Sequence, residues 1–252
     1  MLWTEENKIT GLSTQRDMNY REAMEAHLRT LAIDGGASLF DVVNTFANYV
    51  RRQELTRFCV RYELFKQVLH VKGSIVECGV LAGQGLMSWA QLSAILEPVA
   101  FWRHIFGFDT FEGFPHTSGN DLSIWKEGDL RSDSYTNLLR CVELFDMNRF
   151  LNQIPKVSLV KGDFVKAGPE WLAANPHVLV ALLYMDFDLY EPTKKALEMF
   201  LPRMPKGAIL GFDQINNPAW PGETTAMLES LNVRDYEIRQ FPFEPNMAYV
   251  IL

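Results

Sequence analysis

The sequence predicts an α/β protein with a mostly parallel, seven-stranded sheet, and two observations support this prediction. Short apolar segments alternate along the chain with segments whose apolar residues recur every three or four positions. The first pattern is typical of buried strands and the second of helices, so their alternation indicates βαβ units. The chain has 252 residues, 48% of them hydrophobic, which suits one packed domain better than two.

The first 70 residues are predicted to be helical. Apolar residues at helical spacing recur in three segments, 19–33, 39–49 and 54–71. We therefore expect residues 1–70 to form a helical cap of the same domain, and residues 71–252 to form its main, sheet-containing part.

Seven apolar segments after residue 70 are predicted to be strands. Five of them are expected to be parallel: 74–78, 104–108, 157–160, 178–185 and 208–212. The last two, 236–241 and 247–252, are joined by a Pro-containing turn, which predicts an antiparallel pair at the sheet edge. Helices are expected over 85–96, ending before Pro98, and from the turn that contains Pro192 to about residue 201.

Composition and charge favour a cytoplasmic protein that binds small molecules. The formal net charge of −7 argues against nucleic acid as a partner. Cys59, Cys78 and Cys141 form no CxxC pair and are expected to be small buried residues in a reducing compartment. No apolar segment approaches the ~20 residues of a membrane span. The N-terminal segment MLWTEENKIT lacks the basic region and apolar core of a signal peptide.

Acidic residues occur at the end of each of the five predicted parallel strands. Asp109, Asp163, Asp186 and Asp213 follow four of them, and Glu77 lies near the end of the first. Because the carboxyl ends of parallel strands meet at one edge of the sheet, these side chains are expected to gather where such folds bind ligands.

The turn after the first strand is rich in glycine. It reads VECGVLAGQG, with Gly79, Gly83 and Gly85 at a spacing that differs from the dinucleotide fingerprint G-x-G-x-x-G. The charge of Glu77 would repel a pyrophosphate but suits a ligand with a cationic end. S-adenosylmethionine (SAM) has such an end, its ammonium group. An ordinary tight turn from strand to helix is the alternative interpretation.

Two later strand ends suit the nucleoside part of a cofactor. In the segment GFDTFEGFP, Asp109 is placed to accept hydrogen bonds from ribose hydroxyls, which both NAD and SAM have. Phe111 and Phe114 either stack on an adenine or lie in the core. In the segment KGDF, Asp163 either accepts from the adenine amino group or caps the next helix.

The segment MDFDLYEP and the next strand end offer oxygen ligands for a metal. In an extended segment Asp186 and Asp188 would point the same way, next to Asp213 and the side-chain carbonyl of Gln214. Oxygen ligands suit Mg²⁺, and no His or Cys has zinc spacing. A metal would acidify a hydroxyl, and Asp188 would then take its proton. Alternatively, both acids are N-terminal charges of the helix near Pro192.

Five segments occur in this order along the chain: VECGV, GFDTFEGFP, KGDF, MDFDLYEPTKKALE and PKGAILGFDQ. Together they resemble the macrocin O-methyltransferase family over roughly residues 70–230. Its members are SAM- and Mg²⁺-dependent enzymes that methylate deoxysugar hydroxyls in antibiotic biosynthesis. The segment NNPAWPGET, which begins at Asn216, is most similar to members that act on nucleotide-linked rhamnose-type sugars.

The resemblance implies a Rossmann-like class I methyltransferase fold over residues 71–252, with a general base at Asp188 and metal ligands at Asp186, Asp213 and Gln214. The sequence departs from the family pattern at Gln214, where family members usually carry a second acid. The N-terminal helices are expected to close over the cofactor and to support a homo-oligomer. We expect SAM to be bound by Glu77, Gly79, Gly83, Asp109, Thr110, Phe111, Asp163 and Phe164.

The leading hypothesis is therefore metal-assisted methylation of a sugar or sugar-nucleotide hydroxyl. The alternatives are a catechol or phenol O-methyltransferase, an NAD-dependent oxidoreductase, which the glycine spacing disfavours, and a SAM-binding module without catalysis, which Gln214 keeps open. The polar segment 112–135, with His116, Trp125 and Arg131, is interpreted as a lid or as a surface insertion. Trp220 either lines the acceptor pocket or packs beside it.

Overall fold

The computed structural model describes residues 15–33 and 38–252, with the side chains of 18–31 and 38–252. The segment MLWTEENKIT lies outside the described residues. The chain divides into two compact units between Arg57 and Phe58. The role of residues 1–70 as a cap stays a prediction.

Before α3, the described residues of the first unit form two helices and a short 3₁₀ turn: α1 (Gln15–Ile33), α2 (Leu39–Asn44) and the turn Phe46–Asn48. The predicted helix over 39–49 is thus shorter than expected. Ser38 and Asp41 form a capping box at the start of α2. At its end, Thr45 has non-helical backbone angles, and its hydroxyl donates to the Asp41 carbonyl oxygen at 2.7 Å. This local hydrogen bond competes with helix continuation.

A long third helix, α3 (Arg52–Val68), begins in the first unit and continues into the second. It starts two residues earlier and ends three residues earlier than the segment 54–71 that the sequence predicts. Within the second unit, its residues Val60, Leu64, Phe65 and Val68 are almost completely buried in the core.

The second unit is built on a seven-stranded sheet, as predicted. Its order is β3-β2-β1-β4-β5-β7-β6. The first five strands are parallel, and the last two are antiparallel at the edge. The strands are β1 (Ser74–Cys78), β2 (Ile105–Asp109), β3 (Val157–Lys161), β4 (Val180–Met185), β5 (Ile209–Phe212), β6 (Arg239–Phe241) and β7 (Glu244–Ile251).

Five helices lie between these strands: α4 (Gln84–Leu96), α5 (Tyr135–Met147), α6 (Phe164–Ala174), α7 (Tyr190–Phe200) and α8 (Pro221–Ser230). A 3₁₀ turn, Leu201–Arg203, follows α7. The sequence analysis identified neither α5 nor α8. For α8 a signal was present, because Pro221 occupies the first helical position, where proline is favoured.

The core lies on both faces of the sheet. All six residues of β4 are buried, which explains why that strand is almost entirely apolar. One cluster packs around Trp89 and Phe65, and the other around Phe108 and Phe200. The five parallel strands end at one edge, which therefore carries the predicted acidic residues. Among the described residues, no helix is long and apolar enough to cross a membrane.

Candidate active site

A cleft of about 110 Å³ opens at the carboxyl edge of the parallel strands. It is lined by residues that follow β1, β2, β3 and β4. The cleft therefore brings together residues predicted to bind the cofactor and acids predicted to act in the reaction. The predicted site residues that line it are Gly79, Asp109, Thr110, Asp163, Phe164, Asp186 and Asp188.

Gly79 allows the turn after β1 to lie directly against the end of β4. Its φ of +96° is unfavourable for residues with a side chain, and an added Cβ would overlap the carbonyl oxygen of Asp186. The amide of Asp186 donates to the Cys78 carbonyl oxygen at 2.7 Å, which fixes this contact. Gly79 thus lets the end of β1 pack against the end of β4, and it also lines the cleft.

The carboxylate of Asp109 holds two loops that border the cleft. Its Oδ2 accepts from the amides of Val80 and Leu81 at 2.8 and 2.7 Å, and its Oδ1 accepts from the Phe111 amide at 2.6 Å. A carboxylate has about four acceptor positions, so capacity remains for a ribose hydroxyl. The structure shows the loop-holding role, and ribose binding stays a prediction.

Asp163 caps α6, which was the alternative interpretation of this residue. It accepts from the Val165 amide at 3.1 Å while still lining the cleft. Phe164 follows it and is 3% exposed, with its ring centroid 5.1 Å from that of Phe108. Capping of α6 and contact with an adenine are therefore compatible roles for this turn.

Three residues predicted to bind the cofactor, all within the described part of the chain, do not line the cleft. Glu77 is 1% exposed and forms an ion pair with Arg61 at 3.6 Å. Gly83 begins α4, and an added Cβ would overlap the side chain of Leu138. Phe111 is buried in the core. Contacts of these three with SAM stay predictions.

Asp186 and Asp188 line the cleft, but the segment between β4 and α7 is not extended as predicted. Asp188 has a φ of +63°, in the left-handed region, where the chain turns from the strand toward α7. Aspartate tolerates this region better than most residues, and such strained positions cluster at active sites. The turn presents Asp188 to the cleft in front of the helix.

Asp213 is buried and held by two hydrogen bonds. The Tyr184 hydroxyl donates to its Oδ1 at 2.8 Å, and the Gln214 side-chain amide donates to its Oδ2 at 3.0 Å. The Gln214 carbonyl oxygen, which was predicted to bind a metal, accepts from the Asn217 amide at 2.6 Å. Gln214 therefore holds Asp213 in place in this structure.

Glu223 is an acidic residue of this region that the sequence analysis missed. It is fully buried in the first turn of α8, and its Oε2 accepts from the Gln214 backbone amide at 2.8 Å. Burial and the charges of Asp188 and Asp213 raise the pKa of Glu223 well above its ordinary value. Asp188 and Asp213 therefore both lie within electrostatic reach of Glu223. Sequence reasoning missed Glu223 because it did not identify α8.

The candidate ligands fit a hard divalent cation in their chemistry. All are oxygen atoms, as Mg²⁺ prefers, and Glu223 Oε1 is buried without a hydrogen-bond partner. Within the described ranges, however, no group of three or more His, Cys, Asp or Glu side chains is arranged to hold a metal ion. Mg²⁺ binding thus stays a prediction, one that requires the carboxylates to converge on the ion.

The polar segment between β2 and α5 docks beside this acidic region. Trp125 stacks on Trp220, with 4.1 Å between ring centroids and 12° between planes, and its Nε1 donates to the Ala219 carbonyl oxygen at 3.2 Å. Asp121 accepts from the Tyr190 amide at the start of α7, at 2.8 Å. Trp220 is therefore a packing partner of the segment, and Asp121 ties the segment to the start of α7.

Comparison with known proteins identifies the family. The profile of the Macrocin-O-methyltransferase (TylF) family matches residues 13–229, most of the chain. This chain belongs to the macrocin-O-methyltransferase family. A search of curated proteins found no match.

Solved structures agree with this membership. The crystal structure of the calicheamicin methyltransferase CalS11 is 32% identical, with a TM-score of 0.88, over 95% of this chain and 93% of that chain. The apo structure of CalS11, described as a TDP-rhamnose 3′-O-methyltransferase of calicheamicin biosynthesis, is also 32% identical, with a TM-score of 0.81 over 95% of each chain. The O-methyltransferase NovP, 21% identical over 78% of this chain and 79% of its own, has a TM-score of 0.56 and shows the shared fold.

The macrocin-O-methyltransferase chain described here is thus a SAM-dependent O-methyltransferase with a class I methyltransferase fold. The predictions of family, fold class and enzyme class from the sequence are confirmed. The cleft at the carboxyl edge lies where open α/β sheets bind their ligands.

Proposed function

We propose that this enzyme methylates a hydroxyl group of a nucleotide-linked deoxysugar in natural-product biosynthesis, with Mg²⁺ assisting. The observation that carries the proposal is that one cleft is lined by Asp109 and Asp163 and also by Asp186 and Asp188. Support for the acceptor comes from CalS11, which is described as acting on TDP-rhamnose and is 32% identical to this chain.

Several residues of the cleft fit SAM. Gly79, Asp109 and Asp163 line the cleft, and the two carboxylates are hydrogen-bond acceptors for ribose and adenine. When bound, SAM supplies an electrophilic methyl group on a sulfonium, and Mg²⁺ supplies a Lewis acid that lowers the pKa of a hydroxyl. The chain contributes orientation of the two reactants and exclusion of water.

Asp188 is assigned as the general base. A sugar hydroxyl is a poor nucleophile because its pKa lies far above neutral pH, so its proton must leave as the methyl group is transferred. Asp188 lines the cleft just before α7, which Leu189 caps and which begins at Tyr190. A carboxylate there takes the proton from a hydroxyl in hydrogen-bond range.

The cleft also has an apolar wall that suits a deoxysugar. Phe114, Pro115, Phe187, Leu189 and Pro192 line it beside the acidic residues. Ligand sites combine such apolar surfaces with a few polar groups that fix orientation. A deoxysugar, which exposes C–H groups and a methyl group along with its hydroxyls, matches this combination.

A methyl-transfer assay with a panel of acceptors tests the proposal. Purified enzyme would be given SAM labelled in its methyl group, with TDP-rhamnose, other nucleoside diphosphate deoxysugars, or catechols, each with Mg²⁺ or with a chelator. We expect transfer to a TDP-deoxysugar that the chelator suppresses. Transfer to catechols alone would contradict the sugar assignment, and full activity in chelator would contradict metal assistance.

A second candidate, a SAM-binding module without catalysis, is favoured by one observation. Gln214 replaces an acid that family members usually carry, and its carbonyl oxygen accepts from Asn217. Binding of SAM in the absence of transfer to any acceptor would support this candidate. A homo-oligomeric state, a cytoplasmic location and the absence of nucleic-acid partners stay predictions.

A further inference from the structure

Gln214 links two buried carboxyl groups that come from different elements. Its side-chain amide donates to Asp213 Oδ2 at 3.0 Å, and its backbone amide donates to Glu223 Oε2 at 2.8 Å. Asp213 follows β5, whereas Glu223 lies in the first turn of α8. Gln214 thus holds Asp213 Oδ2 and Glu223 Oε2 in place. The other oxygen atom of each carboxyl group is positioned as a result.

Those second oxygen atoms differ in their partners. Asp213 Oδ1 accepts from the Tyr184 hydroxyl at 2.8 Å. Glu223 Oε1 has no hydrogen-bond partner and is shielded from solvent, and the side chain of Glu223 is 0% exposed. A buried carboxyl oxygen without a partner is costly, and a cation is the partner that satisfies it best.

The charges around Glu223 point to the same ligand. Asp188 and Asp213 both act on it electrostatically, and both are acidic. A divalent cation bound to Glu223 would offset the repulsion from these two charges. Mg²⁺ is bound in proteins by one or two carboxylates, with its remaining positions taken by water or substrate oxygens.

We propose that Glu223 is a direct ligand of the divalent cation and supplies the negative charge that Gln214 lacks. Gln214 is then a positioning residue that holds Glu223 and Asp213. This inference rests on the proposed metal-assisted function, and it changes the ligand set predicted from the sequence from Gln214 to Glu223.

Metal affinity, measured without turnover, tests the inference. Isothermal titration with Mn²⁺, which takes the same oxygen ligands, would be performed on the full chain in the presence of S-adenosylhomocysteine. We expect Glu223→Gln to weaken Mn²⁺ binding at least about tenfold, since even outer partners of metal ligands contribute about that much. Glu229→Gln is the matched control, because Glu229 is exposed on the same helix and pairs with Tyr190 and Lys194.

A second measurement needs no variant and so does not depend on the folding of Glu223→Gln. Cell-free synthesis would place ¹³C in the side-chain carboxyl groups of glutamate alone. Pulsed electron paramagnetic resonance of bound Mn²⁺ would then show a hyperfine coupling to ¹³C if a glutamate ligates the ion. Aspartate ligands and the Gln214 side chain carry no label and give no such coupling.

The outcomes separate this inference from the proposed function. Mn²⁺ binding that Glu223→Gln weakens, together with a ¹³C coupling in the native protein, supports the ligand role. Mn²⁺ binding that is unchanged in Glu223→Gln, or that shows no ¹³C coupling, overturns the role of Glu223 but leaves metal assistance standing. Absence of Mn²⁺ binding in the native protein overturns both.

Discussion

The hydroxyl group of Tyr184 donates a hydrogen bond of 2.8 Å to Asp213 Oδ1, and both side chains are almost completely shielded from solvent. The Arg61 guanidinium lies 5.2 Å from the centre of the Tyr184 ring and forms an ion pair with Glu77. A buried polar chain therefore runs behind the sheet edge from Glu77 on β1 to Asp213 after β5. It orients Asp213 from within the core.

Replacement of Tyr184 by Phe tests the importance of this orientation. Loss of a hydrogen bond to a buried carboxylate is expected to cost about 1–3 kcal/mol of stability. We expect kcat to fall about tenfold, as for outer partners of metal ligands, while the Kd for S-adenosylhomocysteine stays unchanged. Tyr190→Phe is the control, because its hydroxyl bonds the exposed Glu229 at 2.7 Å. An unchanged kcat in Tyr184→Phe would show that Asp213 needs no such support.

Gly79→Ala tests whether cofactor binding depends on the close contact between the ends of β1 and β4. An alanine there would have an unfavourable φ and would overlap the Asp186 backbone. Gly207→Ala, with a φ of +86° and an ordinary contact of 3.4 Å to Val71, isolates the conformational cost of about 1–2 kcal/mol. We expect Gly79→Ala to lower stability more than this control and to weaken S-adenosylhomocysteine binding at least about tenfold. Equal effects in both variants would contradict the overlap.

The docked segment between β2 and α5 is expected to depend on the stacked pair of Trp125 and Trp220. Trp125→Ala removes the stacking and the hydrogen bond to Ala219. Hydrogen exchange of residues 116–131 should then accelerate, and KM for the acceptor should rise, because local opening governs exchange. Trp102→Ala, at a half-exposed position beside Phe101, should change neither quantity. Unchanged exchange in Trp125→Ala would mean that other contacts hold the segment.

Lys156 is expected to make stability depend on pH. Burial lowers its pKa to about 8, from an ordinary value of 10.5, although it donates to the Ala100 carbonyl oxygen. Between these values the unfolded chain binds more protons than the folded one, so the contribution of Lys156 to stability rises with pH. The free energy of unfolding of the native protein, relative to Lys156→Met, should therefore rise by about 1–2 kcal/mol between pH 7.5 and 9.5. Denaturant titrations at both pH values measure this, and a constant difference would refute it.

The sequence predicts the sheet and the placement of its acids well, because apolar strand segments and parallel topology depend on local pattern. Asp109, Asp163 and Asp186 line one cleft for that reason. The sequence does not reveal which partners a buried side chain takes from distant elements. Arg61 on α3 pairs with Glu77, and Glu223 on α8 reaches the Gln214 amide. Both contacts depend on tertiary packing that no spacing rule encodes.

The extended geometry expected for Asp186 and Asp188 was wrong for a related reason. The rule that alternate residues point the same way holds only inside a strand. β4 ends at Met185, and the chain reverses into α7 through the left-handed φ of Asp188. A strand end that meets a helix within a few residues must turn, and the turn decides where its side chains point.

Asp188→Asn is the most direct test of the account, because it removes the proposed base while it keeps the size and backbone preference of the residue. Asparagine tolerates the left-handed region at least as well as aspartate, so the turn should be retained. Turnover with the acceptor and the Kd for S-adenosylhomocysteine would be measured on the same preparation. We predict a loss of kcat of at least about 100-fold with cofactor affinity within about twofold of the native value. Native turnover in this variant would contradict the role of Asp188 and with it the proposed chemistry of the cleft.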